Sequence, residues 1–203
     1  MALTDERHPA EVTMTYVVEV LRQEHRNMER LLRVLEQELS VFDRGNRPDY
    51  EVVLGVSDYF KDYPDSCHHP KEDMIFEKLK SRDLVAAAKI GALETEHQAG
   101  AIRLRRVAQA VERVLGDQDL LRQTVDEIIH DFINHERQHM EIEERIFFPA
   151  ALNALRPEDW ADIALKLADR RDPLYEPGLE EKFNLLRRKI LEIEAEAEAE
   201  RRD

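Results

Sequence analysis

Glu24-His25 and His68-x-x-x-Glu72-Asp73-x-Ile75-Phe76 in the first half of the chain recur as Glu96-His97 and His139-x-x-x-Glu143-Glu144-x-Ile146-Phe147 in the second. His139 lies 71 positions after His68, Glu143 lies 71 after Glu72, and His97 lies 72 after His25. A spacing kept this closely implies two half-sites that face each other. Residues i and i+4 share one face of a helix, so each His-x-x-x-Glu pair presents an imidazole and a carboxylate side by side. Together the halves offer four imidazoles and two carboxylates, a ligand set for a pair of metal ions.

Apolar periodicity says where those groups point. Val17, Leu21, Met28, Leu32, Leu35, Leu39 and Phe42 recur every three to four positions, which predicts an amphipathic helix over 16–42 with His25 in its buried stripe. Asp43–Pro48 reads as a turn, and Asp49 can cap a second helix that turns Val52, Val53, Val56, Phe60 and Tyr63 inward. Pro64 and Pro70 follow, and proline inside a helix removes a hydrogen bond and bends it. An irregular stretch is expected over 64–69, then an inward stripe of His68, Glu72, Ile75, Phe76 and Leu79. A third helix is expected over 83–115 through Ile90, Leu93, His97, Leu104, Val107 and Val111, ended by Gly116-Asp117. A fourth, over 119–153, carries Leu121, Val125, Ile128, Phe132, His135, His139, Ile142, Glu143 and Ile146 inward.

Long helices with short connections predict an all-α fold, an up-down-up-down four-helix bundle. Only 6 Gly and 8 Pro in 203 residues leave little to oppose helix. We divide the chain into a polar lead-in over 1–14, the bundle over 15–155 and a C-terminal helical extension over 156–203. The extension contains a short helix over 157–169 and a polar last helix from near Leu179 that decays into Glu-Ala repeats. Trp160 and Phe183 would pack it on the bundle or on a second subunit of a homo-oligomer.

A lone histidine on an apolar stripe is usually a hydrogen-bonded core residue, and a lone glutamate an ion-paired one. Here that reading would have to hold six times on four helices. Burying an ionised carboxylate without a partner costs several kcal/mol, and the stripes that hold Glu72 and Glu143 carry no Lys or Arg. Divalent cations would neutralise the carboxylates and keep the imidazoles neutral and oriented. Six donors exceed the four that a structural zinc needs and suit two ions bridged by Glu72 and Glu143. Imidazole and carboxylate accept iron, zinc, manganese or copper. Iron is the expected metal, because histidine-rich dinuclear sites with open positions suit oxygen or nitric oxide.

Over residues 15–155 the chain resembles the hemerythrin-like, or HHE cation-binding, family. Glu24-His25, His68-His69-Pro-Lys-Glu72-Asp73, Glu96-His97 and His139-Met-Glu-Ile-Glu143-Glu144-Arg-Ile-Phe-Phe-Pro149 carry the resemblance. It implies a four-helix bundle with a non-haem di-iron centre, His25, His68, His97 and His139 as terminal ligands, and Glu72 and Glu143 as bridges. The oxygen carriers of that family have five histidines, with a His-x-x-x-His pair on the third helix. Here Leu93 and Ala101 occupy the positions four away from His97. Their last carboxylate is an Asp five past its histidine, whereas Glu143 is four past His139, so reversible oxygen carriage does not follow.

Three residues are further candidates. His135, one turn before His139, would supply a fifth nitrogen or a hydrogen bond to a ligand. His69 points about 100° from His68 in a regular helix, which favours the surface or a supporting hydrogen bond; the repeat agrees, since Met140 stands 71 past it. Tyr63 can place a hydroxyl over the site. Asp73 and Glu144 are expected to face away from the centre.

A net charge of −14 argues against nucleic acid and anionic membranes as partners. No apolar run is long enough to span a bilayer, the start lacks the pattern of a secretory signal, and the single Cys67 rules out an internal disulfide. The expected location is the cytoplasm. The leading expectation is a di-iron protein that binds, senses or scavenges dioxygen, nitric oxide or a peroxide, with zinc or manganese as substitute metals. One rival is an enzyme that turns over peroxide or nitric oxide, or a donor of iron for cluster repair. The other is an interaction module whose metal is purely structural.

Overall fold

The computed structural model describes residues 9–91, 93–116, 121–167 and 183–200. Helix α1 spans Pro9–Asp43, α2 Tyr50–Tyr63, α3 His69–Arg82, α4 Leu84–Ile90, α5 Leu93–Leu115, α6 Arg122–Ile142, α7 Phe148–Ala154, α8 Pro157–Leu167 and α9 Asn184–Glu200. Single π-turns, Pro64–His68 and Glu143–Phe147, join α2 to α3 and α6 to α7. Among the described residues there is no strand, and the fold is a helical bundle. None of its helices is long and apolar enough to cross a membrane, among the described residues.

Several elements differ from expectation. Helix α1 begins at Pro9, ahead of the 16–42 stripe, with proline at a first-turn position that needs no N–H. The helix expected over 83–115 is broken at Gly91, whose φ of 83° is a left-handed conformation that glycine adopts without penalty. Asp83 starts α4 by accepting from Ala86 N at 2.9 Å. The helix expected over 119–153 is interrupted by the π-turn at 143–147. Its extra residue rotates the chain from there on, so Ile146 faces solvent at 47% exposure while Phe147 and Phe148 are buried; Ile142, just before the π-turn, is also exposed at 38%. Leu121 is also exposed, standing just before the first turn of α6. The start at Asp119, the ends near Asp117 and Asp169, and the beginning of the last helix at Leu179 lie outside the described residues.

Two apolar cores sandwich a polar layer. One gathers Leu31, Leu35, Val56, Phe60, Val107 and Phe132; the other gathers Leu21, Ile75, Leu79, Leu93, Phe147 and Trp160. Along α1 the second core ends at Leu21 and the first begins at Met28, with buried Glu24 and His25 between them. Helices α1 and α5 run from the second core to the first, and α2–α3 and α6–α7 run from the first to the second. All four therefore deliver their His and Glu residues to one level.

The C-terminal segment packs on the bundle. Helix α8 lies against α1 and seats Trp160 in the second core; α9 lies on α1 and α2 with Phe183 and Leu186 in the first. Arg82 fastens α3 to α8 through a two-pronged contact with Asp159, at 2.8 and 3.0 Å. Asp159 also accepts from the Arg156 N–H at 3.0 Å, at the start of α8.

Candidate metal centre

The two π-turns position the ligand-type residues, and each lies next to a proline. His69 N–H closes the first by reaching the Pro64 carbonyl five residues back, and Pro70 follows. Phe148 N–H closes the second on the Glu143 carbonyl, and Pro149 follows. Proline has no N–H and crowds the carbonyl four residues before it, so the chain accommodates it by widening the preceding turn. His68 ends the first turn and His69 opens α3; Glu143 begins the second. Glu72 lies four residues after His68 and three after His69, within side-chain reach of both.

Two groups result. His25, His68, Glu72 and Glu143 offer atoms that all lie within 4.8 Å of one another, and so do His69, Glu72, His97 and His139. Glu72 turns Oε1 to His68 Nε2 at 3.2 Å and to His25 Nε2 at 3.7 Å, while its Oε2 lies 3.5 Å from His97 Nε2. Glu143 turns Oε2 to His25 Nε2 at 3.3 Å and Oε1 to His139 Nε2 at 3.1 Å. Each carboxylate thus gives one oxygen to each side. Atoms about 2.1 Å from a shared ion stand about 3 Å apart at right angles, so these spacings suit coordination.

Hydrogen bonding does not satisfy this cluster. All four oxygens of the fully buried Glu72 and Glu143, with Nε2 of His97 and both ring nitrogens of His139, are buried and have no hydrogen-bond partner. His25 Nε2 and His68 Nε2 face each other at 3.2 Å. Buried polar atoms are almost always paired, and a cation is the partner that lone pairs on imidazole and carboxylate share. The donor set therefore fits metal.

Supporting contacts are concentrated on one side. His68 Nδ1 lies 2.9 Å from Glu24 Oε2, and Glu24 in turn pairs with the fully buried Lys71. His25 Nδ1 lies 3.1 Å from Glu144 Oε1, whose other oxygen accepts from Arg22 Nε at 3.0 Å. A carboxylate on Nδ1 holds that proton there, leaves Nε2 free to bind and fixes the ring plane. On the other side His69 Nδ1 meets Asp65 Oδ1 at 3.0 Å, but Asp65 is exposed. The His69 ring stacks on His97 with centroids 3.6 Å apart and an interplanar angle of 8°.

The charges lock together. Burial would lower His68 and His97, but the nearby carboxylates push them up, to about 9 and about 10. Burial raises Glu72 and Glu143, yet the surrounding imidazoles hold both well below the usual carboxylate range. His69 is pushed down to about 3 by burial and by His97 and His68, so its ring stays neutral. Burial lifts Glu136, one turn before His139, to about 7.

The structure brings together His25, His68, His97, His139, Glu72 and Glu143, as the repeat anticipates, and adds His69 to the second group. His135 is not in either group; its Nε2 lies 3.2 Å from the Glu96 carbonyl, to which it donates. Tyr63 is not in either group, being buried with its ring 5.1 Å from Tyr59. Glu144 was expected to face away; the π-turn instead carries it to His25. Sequence reasoning also missed Lys71, a cation inside the polar layer. Its partner Glu24 is part of the repeat, but the counterpart Glu96 is exposed, so the two halves are not equivalent.

A cavity of about 380 Å³ between α2, α5 and α6 has His69, His97 and His139 among its lining residues, whereas neither His25 nor His68 lines it. Gly100, one turn after His97, borders it; a Cβ there would come within 2.7 Å of Glu136 Oε1.

A family model described as the hemerythrin HHE cation binding domain matches residues 16–151. No curated protein and no solved structure matches the chain. The matched stretch includes both groups of converging side chains and both π-turns. The chain belongs to the hemerythrin HHE cation-binding family.

Proposed function

We propose that this chain is a non-haem iron protein holding two ions. His25 and His68 hold one, and His69, His97 and His139 the other, with Glu72 and Glu143 spanning the pair. The cavity that His69, His97 and His139 line would admit a small ligand, dioxygen, nitric oxide or a peroxide, to their side of the pair. The observation that carries this reading is the division of the carboxylates, each of which turns one oxygen to either imidazole group. Seven donors are more than one structural zinc uses. The cavity, lined by the imidazoles of one group, favours ligand binding over a purely structural metal. Zinc and manganese would fit the same donors, since affinity alone does not select among such metals.

When bound, iron supplies a redox-active centre with room for an outside ligand. The residues of the chain set its geometry. Glu24 and Glu144 hold the Nδ1 protons of His68 and His25, and the two π-turns bring His69 and Glu143 onto the shared level. Elemental analysis of protein purified anaerobically should give two iron ions per chain, and the same protein after exposure to air should show a near-ultraviolet charge-transfer band that is absent in His139→Ala. Less than one metal ion per chain would defeat the proposal.

A further inference from the structure

The cavity beside the second imidazole group is large for the ligands just named. A water molecule, comparable in size to a diatomic gas, has about 30 Å³ as its share of the liquid, whereas this space is about 380 Å³, within the range of pockets for organic ligands. Its walls are graded. Leu54 and Phe60 on α2, Leu104 and Ala108 on α5, and Phe132 on α6 line an apolar body, while His97 and His139 place ring nitrogens without hydrogen-bond partners at one end. Gly100 leaves the Glu136 carboxyl in that same end, because a side chain on residue 100 would collide with it at 2.7 Å.

The charges along the cavity select further. Asp58, Asp65, Glu96, Glu112 and Glu136 border it against only Lys61 and Arg105. This acidic excess disfavours entry of an anion, and the apolar walls disfavour a strongly hydrated one.

We infer that the cavity binds an uncharged organic molecule of about ten heavy atoms, with an apolar body along Leu54, Phe60, Leu104 and Phe132. Its hydroxyl or hydroperoxyl head lies between Glu136 and the His69, His97 and His139 group. The inference rests on the two-ion reading and narrows its ligand from peroxides in general to organic hydroperoxides. Glu136 is a positioning residue, offering a hydrogen bond to the head.

Cumyl alcohol, the unreactive alcohol counterpart of cumene hydroperoxide, tests this on full-length protein loaded with redox-silent zinc and on metal-free protein. Binding is followed by saturation-transfer NMR and calorimetry. Cumyl alcohol should bind at least tenfold more tightly than methanol and more tightly than phenylacetate. Ala108→Trp, which fills the cavity away from the imidazoles, should weaken it at least tenfold while the zinc content of the protein stays unchanged. Equal affinity for methanol and cumyl alcohol, tighter binding of phenylacetate, or no effect of Ala108→Trp would each overturn the inference. Metal content of the same samples reports separately on the two-ion reading, because the alcohol is also titrated into metal-free protein.

Discussion

The two imidazole groups that flank Glu72 and Glu143 share their carboxylates but little else. On the His25 and His68 side, each ring is braced by a carboxylate that is itself held by a cation, Lys71 or Arg22. That side packs on Phe148, which stacks on His25 with centroids 5.5 Å apart. On the His69, His97 and His139 side, the rings brace one another by stacking and edge contacts and line a cavity. Fixed ligands suit an ion that stays; ligands beside open space suit one that exchanges a partner. The two copies of the sequence repeat thus sit in unequal surroundings.

That contrast can be broken at the shared carboxylates. Glu72→Gln should release both ions together, since each side loses one of its anionic oxygens. If ions are present at about a thousand times their dissociation constant, each contributes about 4 kcal/mol. At about 2–4 °C per kcal/mol for a chain this size, losing both should lower the melting temperature by well over 10 °C in scanning calorimetry. A variant that kept one ion at full occupancy would show that the two sides do not depend on Glu72 equally.

Chelation sharpens the comparison next. Excess chelator should remove metal in two phases, the ion beside the cavity leaving first. His139→Ala should abolish the fast phase and His68→Ala the slow one, as read by a colorimetric iron indicator. A single phase in the unaltered protein would mean that the two surroundings do not differ in effect.

The bracing carboxylates give a smaller effect. Glu144→Gln and Glu24→Gln should each weaken metal binding about 10–100-fold, measured by competition with a chelator of known affinity. Asp65→Asn should cost less, because Asp65 is 70% exposed and solvent already shields its contact with His69.

Smallest is a change remote from both sides. Arg82 holds Asp159 below its ordinary carboxyl value. A carboxyl whose folded value is depressed stabilises the fold above its unfolded value, near 4, and loses that contribution as pH falls through the folded one. Asp159→Asn should therefore cost about 1–2 kcal/mol at pH 7 and less at pH 3 in urea melts, without altering metal content. An equal cost at both pH values would assign the effect to packing instead of charge.

Much of this was legible in the sequence. The stripes through His25, His97 and His139 and the repeated His-x-x-x-Glu pairs identified the inward faces and the six shared donors. The family resemblance over 15–155 agrees with the matched residues 16–151. The same repeat argues against His69, because Met140 stands at the equivalent position, whereas the structure places His69 in the second group. The local signal was stronger: Glu72 stands three residues after His69, within helical side-chain reach. Pro70 was used to expect irregular backbone near His68, yet Pro149 carries the same message for 143–147, and Glu144 followed from it. Lys71 was hidden because period alone assigns it to a flank, while its ion pair with Glu24 draws it inside. The break at Gly91 depends on a left-handed backbone that periodicity does not register.

Pro149 thereby bears on a side chain five residues before it in the chain, Glu144. An alanine in its place would restore an amide donor for the Arg145 carbonyl and let the helix rewind by one residue. The rewound turn would swing Glu144 off His25 and remove the carboxylate that faces its Nδ1. The orientation of one metal-facing ring is in this sense written into an imino acid at the far end of a widened coil.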